Sequence, residues 1–285
     1  MRVGIVSTGA MGSAVGGVLR AGGAQVVTTL AGRSERTARF ARDAGFECLP
    51  DLDAVVRTAG LVLSVAPPDQ AEAIAGDLAA AAARTSSSPL VADLNATSPA
   101  TARRVEATLA AAGLDLVDGS ISGPPPRLPG TTRIYLSGAR AAELLSLPFA
   151  GVELIRVGDE VGAASAVKMC TGSVYKGTVA LLTQAFLTAR ANGVVEHVLD
   201  DLGELADGAA QRIASSATKS ARYVGEMHEI AATQAAAGLT PALFEAMADV
   251  YAALAGRPLA RAAPEDIAGS IELGRILDEL APGGR

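Results

Sequence analysis

Over the first 160 or so residues, short apolar runs alternate with amphipathic stretches that repeat at helical spacing. Arg2-Val-Gly-Ile-Val-Ser7 reads as a buried strand, and an Ala/Val/Leu helix follows it to about Ala21. Further strands are expected at 24–30, 46–49, 61–65, 90–94, 114–118, 131–137 and 152–157. Helices are expected at 34–44 and 51–58, after Pro67-Pro68, and after Thr97-Ser98-Pro99, where Pro suits a first turn. Repeated strand–helix units with short turns predict a parallel doubly wound α/β sheet of the Rossmann type over residues 1–158.

The pattern changes at Gly158. From Gly162 an apolar helical repeat runs without Pro to about Ala191, about 30 residues and so about 45 Å of helix. A helix that long suits a spine joining two halves of a protein. Everything after it is helical in pattern, with breaks at Asn192-Gly193, Gly203, Gly238-Leu-Thr-Pro241 and Arg257-Pro258. Residues 159–285 are therefore expected to form an interdomain helix and an all-α domain. The tail Ala281-Pro-Gly-Gly-Arg285 is expected to fray.

Composition narrows the function. Hydrophobic residues make up 49%, enough for a large core, but aromatics are 3% and Trp is absent, so Ala, Val, Leu and Ile must build it. The net charge of −6, with no basic tract, argues against nucleic-acid binding. No apolar run is long enough to span a membrane, and the N-terminus enters a strand directly, so a soluble cytoplasmic protein is expected. Two cysteines, Cys48 and Cys170, and two isolated histidines, His197 and His228, supply no metal cluster.

Candidate chemistry begins at the first turn. Ser7-Thr8-Gly9-Ala10-Met11-Gly12 follows a strand and opens a helix, the context in which a glycine fingerprint holds a pyrophosphate on free N–H groups. Gly9 would allow the phosphate to approach, Gly12 would allow close packing, and Ser7 stands where the fingerprint has its first glycine. NAD-preferring folds place an acidic residue at the end of the second strand, and none lies between Gly22 and Ser34. Arg33 and Ser34 stand where a 2′-phosphate would sit, which predicts NADP. The turn Val65-Ala66-Pro67-Pro68-Asp69-Gln70 and Asn95 end strands on the ligand side, and Val65, Ala66, Pro67, Gln70 and Asn95 join the expected cofactor contacts. Lys168 lies in the first turns of the long helix among Ala164, Ala166, Val167, Met169 and Cys170, and an ammonium there needs a partner or a purpose. Tyr175 returns to nearly the same face two turns on. Around 215–231, Lys219, Arg222, Tyr223 and Glu226 share a helix face, which reads either as solvated or as a polar wall over a substrate.

Four of these motifs together resemble the β-hydroxyacid dehydrogenase superfamily, which includes 6-phosphogluconate dehydrogenase-like and hydroxyisobutyrate dehydrogenase-like enzymes. Gly9-Ala-Met-Gly12 resembles the family's G-x-G-x-M-G, and Asp93-Leu-Asn-Ala-Thr-Ser-Pro99 its D-x-S-T-x-S-P. Asp118-Gly-Ser-Ile-Ser-Gly-Pro124 resembles its substrate loop, and Gly158, Gly162 and Lys168 its G-x-G-x-x-x-K-x-x-N-N. The resemblance implies that Lys168 is the catalytic acid/base in an NADP-dependent exchange of hydroxyl and carbonyl on a small acidic substrate. It implies substrate contacts at Thr97, Ser122, Gly123, Pro124, Thr171, Gly172, Tyr175 and Arg222. A small Ala-rich helical domain rarely buries all its apolar surface alone, so a homodimer through the C-terminal helices is expected. Thr171 and Gly172 replace the family's two asparagines, and Pro124 a glycine. An imine reductase and a non-catalytic NADPH-binding protein remain as alternatives. No metal is expected.

Overall fold

The computed structural model describes residues 1–263, 267 and 272–281, so most of the expected frayed tail, residues 282–285, lies outside the described residues. The chain forms two compact units, Met1–Met169 and Cys170–Arg285.

The first unit is built on one eight-stranded sheet in the order β3-β2-β1-β4-β5-β6-β7-β8. Its strands are β1 (Arg2–Val6), β2 (Gln25–Thr29), β3 (Glu47–Leu49), β4 (Leu61–Ser64), β5 (Leu90–Asp93), β6 (Leu116–Ser122), β7 (Arg133–Ser137) and β8 (Glu153–Gly158). Its helices are α1 (Ala10–Ala21), α2 (Glu35–Asp43), α3 (Leu52–Thr58), α4 (Ala71–Thr85), α5 (Pro99–Ala110) and α6 (Ala141–Leu145). Alternate strand residues face opposite layers. Val3, Ile5, Leu61, Leu63 and Ala92 join a core with Val15, Leu19 and Leu144 of α1 and α6. Val27, Val62 and Val91 join a second core with Val55, Leu78 and Val105 of α3, α4 and α5. Each of these fully buried branched side chains contributes about 1.5–3 kcal/mol, which explains why the strands read as continuous apolar runs.

The sheet departs from the expected all-parallel order at one edge. β1 to β6 are parallel, but β7 pairs antiparallel with β6, and β8 follows β7 in parallel. Only residues 123–132 connect β6 to β7, too few for a helical crossover, so the chain turns back beside its own strand. β6 also runs on to Ser122, beyond the expected end at 118, and the short α6 gave no sequence signal.

α7 (Ala163–Ala191) carries 29 residues, close to the expected extent. The second unit continues with α8 (Val195–Leu202), α9 (Ala209–Ala217), α10 (Ser220–Ala236), α11 (Ala242–Ala255) and α12 (Leu273–Leu280). Phe186, Ile213, Met227, Ile230, Tyr251 and Leu277 are fully buried and form its interior.

Candidate functional site

The sheet register defines an edge on which several candidate residues meet. Val6 pairs with Ser64, Ser64 with Asp93, and Asp93 with Asp118, so the chain segments that follow β1, β4 and β5 all leave the sheet on one side. The strand order turns between β1 and β4, where an open α/β sheet forms its ligand crevice. Ser7 begins the first turn with φ +71°, a left-handed conformation that disfavours any side chain, so it adopts the conformation a fingerprint glycine would. A Cβ on Gly12 would fall 2.2 Å from the Ser7 carbonyl oxygen. Gly12 therefore keeps the turn closed. Close packing of α1 on β1 comes also from Gly16, where a Cβ would meet Ile5 and Phe46 at 2.4 Å.

This turn offers open space and an unused hydroxyl. A Cβ on Gly9 would meet nothing within 4 Å, so space lies beside the backbone. Thr8 is buried, and its Oγ1 has no hydrogen-bond partner among the described residues. An unpaired buried hydroxyl costs about 1–3 kcal/mol, a cost that a phosphate oxygen at the start of α1 would remove. Arg33 and Ser34 are exposed past β2. Ser34 Oγ accepts from Thr37 N at 3.3 Å and caps α2, while the Arg33 guanidinium is unpaired among the described residues.

Asn95 is not free to reach a ligand with its side chain. It is buried, its Oδ1 accepts from Ala66 N at 2.5 Å, and its Nδ2 donates to Ser64 Oγ at 2.9 Å. It thus shapes the Val65–Gln70 turn, in which Val65 and Ala66 are half-buried and Pro67 and Gln70 exposed. Beside it Asp93 is buried, with its carboxyl pushed up to about 7. Burial is the main cause. The Asn95 N–H opposes it, and the Asp118 charge on the next strand adds to it.

β6 overshoots this edge. Ser122 lies four residues beyond the level of Val6, about 13 Å at 3.3 Å per residue. On that projection Lys168 Nζ donates to the Ile121 carbonyl oxygen at 2.6 Å, and Lys168 is half-buried. Ser122 and Gly123 follow directly, with Gly123 at φ +116° in the chain reversal. Pro124 is exposed there, and Thr97 is buried before α5. The first unit thus brings together the Ser7–Gly12 turn, the Val65–Gln70 turn and the Lys168–Ile121 pair on one edge.

The remaining candidates belong to the helical unit. Thr171 is half-buried and Tyr175 exposed on α7. A Cβ on Gly172 would lie 3.3 Å from Lys176 Nζ, so glycine makes room for that ammonium. Glu226 is buried, its carboxylate 2.6 Å from Lys176 Nζ and 3.0 Å from Arg222 Nε. Lys176 and Arg222 lie over the Tyr223 ring, which meets Tyr251 edge-on. Lys219 donates to Ser215 Oγ, and burial, then the Arg222 charge, lowers its pKa. The face at 215–231 is therefore not solvated at its centre, because a carboxylate at 5% exposure holds it together. Lys176 and Glu226 pair across 50 residues of sequence, and no local pattern signals that pairing.

Three residues were not legible as parts of the site. Asp118, Ser137 and Ser165 form a buried network at the start of α7, in which Asp118 Oδ2 accepts from Ser137 Oγ, Gly162 N and Ser165 N. The sole sequence signal was Asp118 in the quoted loop motif.

Residues 2–144 match the NAD binding domain of 6-phosphogluconate dehydrogenase, and residues 189–254 match a domain of unknown function. A solved conserved protein of unknown function, described as structurally similar to 3-hydroxyacid dehydrogenases, is 29% identical. That alignment covers 90% of this chain and 97% of that one, with a TM-score of 0.66. A Mycobacterium tuberculosis 3-hydroxyisobutyrate dehydrogenase solved with L-serine is 21% identical over 93% of this chain and 97% of that one, with a TM-score of 0.68. A variant imine reductase from Myxococcus stipitatus in complex with NAD+ is 17% identical over 89% and 92%, with a TM-score of 0.58. The last two show a shared fold.

Proposed function

Because this chain belongs to the β-hydroxyacid dehydrogenase superfamily of NAD(P)-dependent dehydrogenases and reductases, we propose that it interconverts a hydroxyl and a carbonyl on a small acidic substrate, with NADP as cofactor and Lys168 as acid/base. The observation that carries the reading is the Lys168 ammonium, 2.6 Å from the Ile121 carbonyl on the strand end that projects past the crevice. A nicotinamide bound there would supply or accept the hydride.

The protein's residues do the rest. The turn from Ser7 to Gly12 would hold the pyrophosphate on its N–H groups and on Thr8 Oγ1, which has no hydrogen-bond partner among the described residues. Arg33, whose guanidinium has no partner among the described residues, offers a fork to a 2′-phosphate, with Ser34 beside it, which supports NADP over NAD. Val65, Ala66, Pro67 and Gln70 line the crevice, on a turn that Asn95 holds in shape. Ser122 and the Gly123 N–H bind a carboxylate or carbonyl of the substrate, next to Lys168. In reduction, Lys168 gives a proton to the developing alkoxide; in oxidation, it takes the hydroxyl proton. Thr97 and Pro124 are the further proposed substrate contacts in the first unit.

A homodimer through the helical unit is part of the same reading. Val174, Thr178, Leu181 and Ala185 on α7 are exposed and recur at alternating spacings of four and three, the seam along which two helices pack.

Lys168→Ala tests the assignment. NADPH binding, read by fluorescence titration, is expected to persist, while turnover falls at least about 100-fold, the lower end of general acid–base contributions. A substrate panel should include hydroxy acids, keto acids and cyclic imines. Undiminished turnover in the folded variant would reject Lys168. Turnover on imines alone would move the chain to imine reduction, and NADPH binding without turnover on any class would leave a binding protein.

A further inference from the structure

We propose that Asp118 is a positioning residue for Lys168: its buried carboxylate locks the first turn of α7 onto β6 and so sets where on that strand the ammonium reaches. The proposal rests on the acid/base reading of Lys168.

A helix leaves its first N–H groups without intrahelical partners, and a side chain just before the helix usually satisfies one of them. At the start of α7 that work is done from a strand 44 residues earlier. Asp118 Oδ2 accepts from Gly162 N at 2.9 Å and Ser165 N at 3.1 Å, and Oδ1 accepts from Ser165 Oγ at 2.7 Å. Gly162 makes the turn into the helix at φ +105°, and a Cβ on it would press against Pro99 and Arg103 at 3.1 Å. Ser137 Oγ donates to Asp118 Oδ2 and accepts from Ala164 N, joining β7 to the same turn. Ser120 Oγ donates to the Ala164 carbonyl oxygen at 2.8 Å.

The carboxylate has no cation within 4 Å among the described residues, so N–H and O–H donors and the positive end of α7 meet its charge. Lys168 follows Ser165 by three residues and so shares its helix face. Ile121 likewise follows Asp118 by three residues along β6. The two attachments, Asp118 with Ser165 and Ile121 with Lys168, therefore both join β6 to the start of α7. Asp118 carries three of the hydrogen bonds that fix that start, two from backbone N–H groups and one from Ser165 Oγ, so releasing it loosens the turn from which Lys168 reaches Ile121.

Asp118→Asn keeps the shape but puts an NH2 against donors that need an acceptor. The test uses the full-length variant and measures the pH dependence of Lys168 acetylation by acetic anhydride, by peptide mass spectrometry, with the N-terminal amine as internal reference. Labelling of Lys168 is expected to rise roughly tenfold, the size of losing one helix cap of ordinary strength, and its half-point in pH to move. Labelling of Lys176 and the Kd for NADPH are expected to stay within about twofold, well under the tenfold that one hydrogen bond's loss gives. An unchanged Lys168 rate and half-point in the folded variant would overturn the proposal, because a merely structural aspartate would lower stability without moving that titration. If Asp118→Asn does not fold, Ser165→Ala, which removes one hydroxyl donor, is expected to raise labelling in the same direction by about threefold, and no change there overturns the proposal equally. The labelling reports the position of the amine whether or not turnover is found, so failure of the acid/base reading is seen separately in Lys168→Ala.

Discussion

Asp93 gives the sharpest test of the interior electrostatics. Its carboxyl ionises near 7 in the folded chain, against an ordinary value of 3.8. Below pH 4 it is protonated both folded and unfolded, and the raised value has no consequence. Between pH 4 and 7 the folded chain keeps a proton that the unfolded chain has released, so stability falls as pH rises, by up to about 1.4 kcal/mol per unit. Above pH 7 both forms are ionised, and the loss levels off at about 4 kcal/mol. Asp93→Asn has no proton to lose and still offers an oxygen to the Asn95 N–H, which lies 3.3 Å from Asp93 Oδ1. The assay is urea denaturation of both proteins at pH 5, 6, 7 and 8. The variant should gain on the wild type by about 3 kcal/mol between pH 5 and 8. Parallel stability curves over that range would refute the reasoning, since they would mean that Asp93 titrates alike in both states.

Two further outcomes follow from single residues. Ser7 holds a left-handed φ of +71°, a conformation that costs a side chain roughly 1–2 kcal/mol. Ser7→Gly is therefore expected to leave thermal stability equal or higher by up to about 1 kcal/mol, whereas the β-branched Ser7→Val should cost about 2 kcal/mol; the reverse order in thermal melts would contradict that geometry. Arg33→Ala should raise KM for NADPH about tenfold or more, the size of one lost charge-assisted contact, and leave KM for NADH within about twofold. Equal effects on the two cofactors would remove the 2′-phosphate assignment.

How far the sequence could be read is clear from particular elements. The Ser7–Gly12 turn is legible because strand, turn residues and helix are adjacent in the chain, whereas β6, to which α7 is tied, runs four residues past the end of its apolar run. Lys168 stood out because a lone ammonium in an apolar helical repeat conflicts with local burial. Gly12 lets α1 approach the end of β1 at Ser7, as its place in the turn predicts, and Gly16, one helical turn further on, does so against Ile5 and Phe46. Asn95 stands where a cofactor contact is expected, yet its side chain is buried against Ala66 and Ser64. Position after a strand does not tell which way an amide side chain points.

The sequence by itself determined the alternation of strands and helices, the glycine turn, the missing acidic residue after β2 and the 29-residue helix with its lysine. Those features depend on neighbours within a few residues, where apolar period and turn chemistry act. Only the tertiary structure decided that β7 and β8 reverse against the sheet, that Asp118 holds the start of α7, and that Asp93 keeps its proton towards neutral pH. It also decided that Glu226 is buried between Lys176 and Arg222. The reason is physical: the charge state and reach of a polar side chain depend on which donors and how little water surround it, and those donors come from segments tens of residues away.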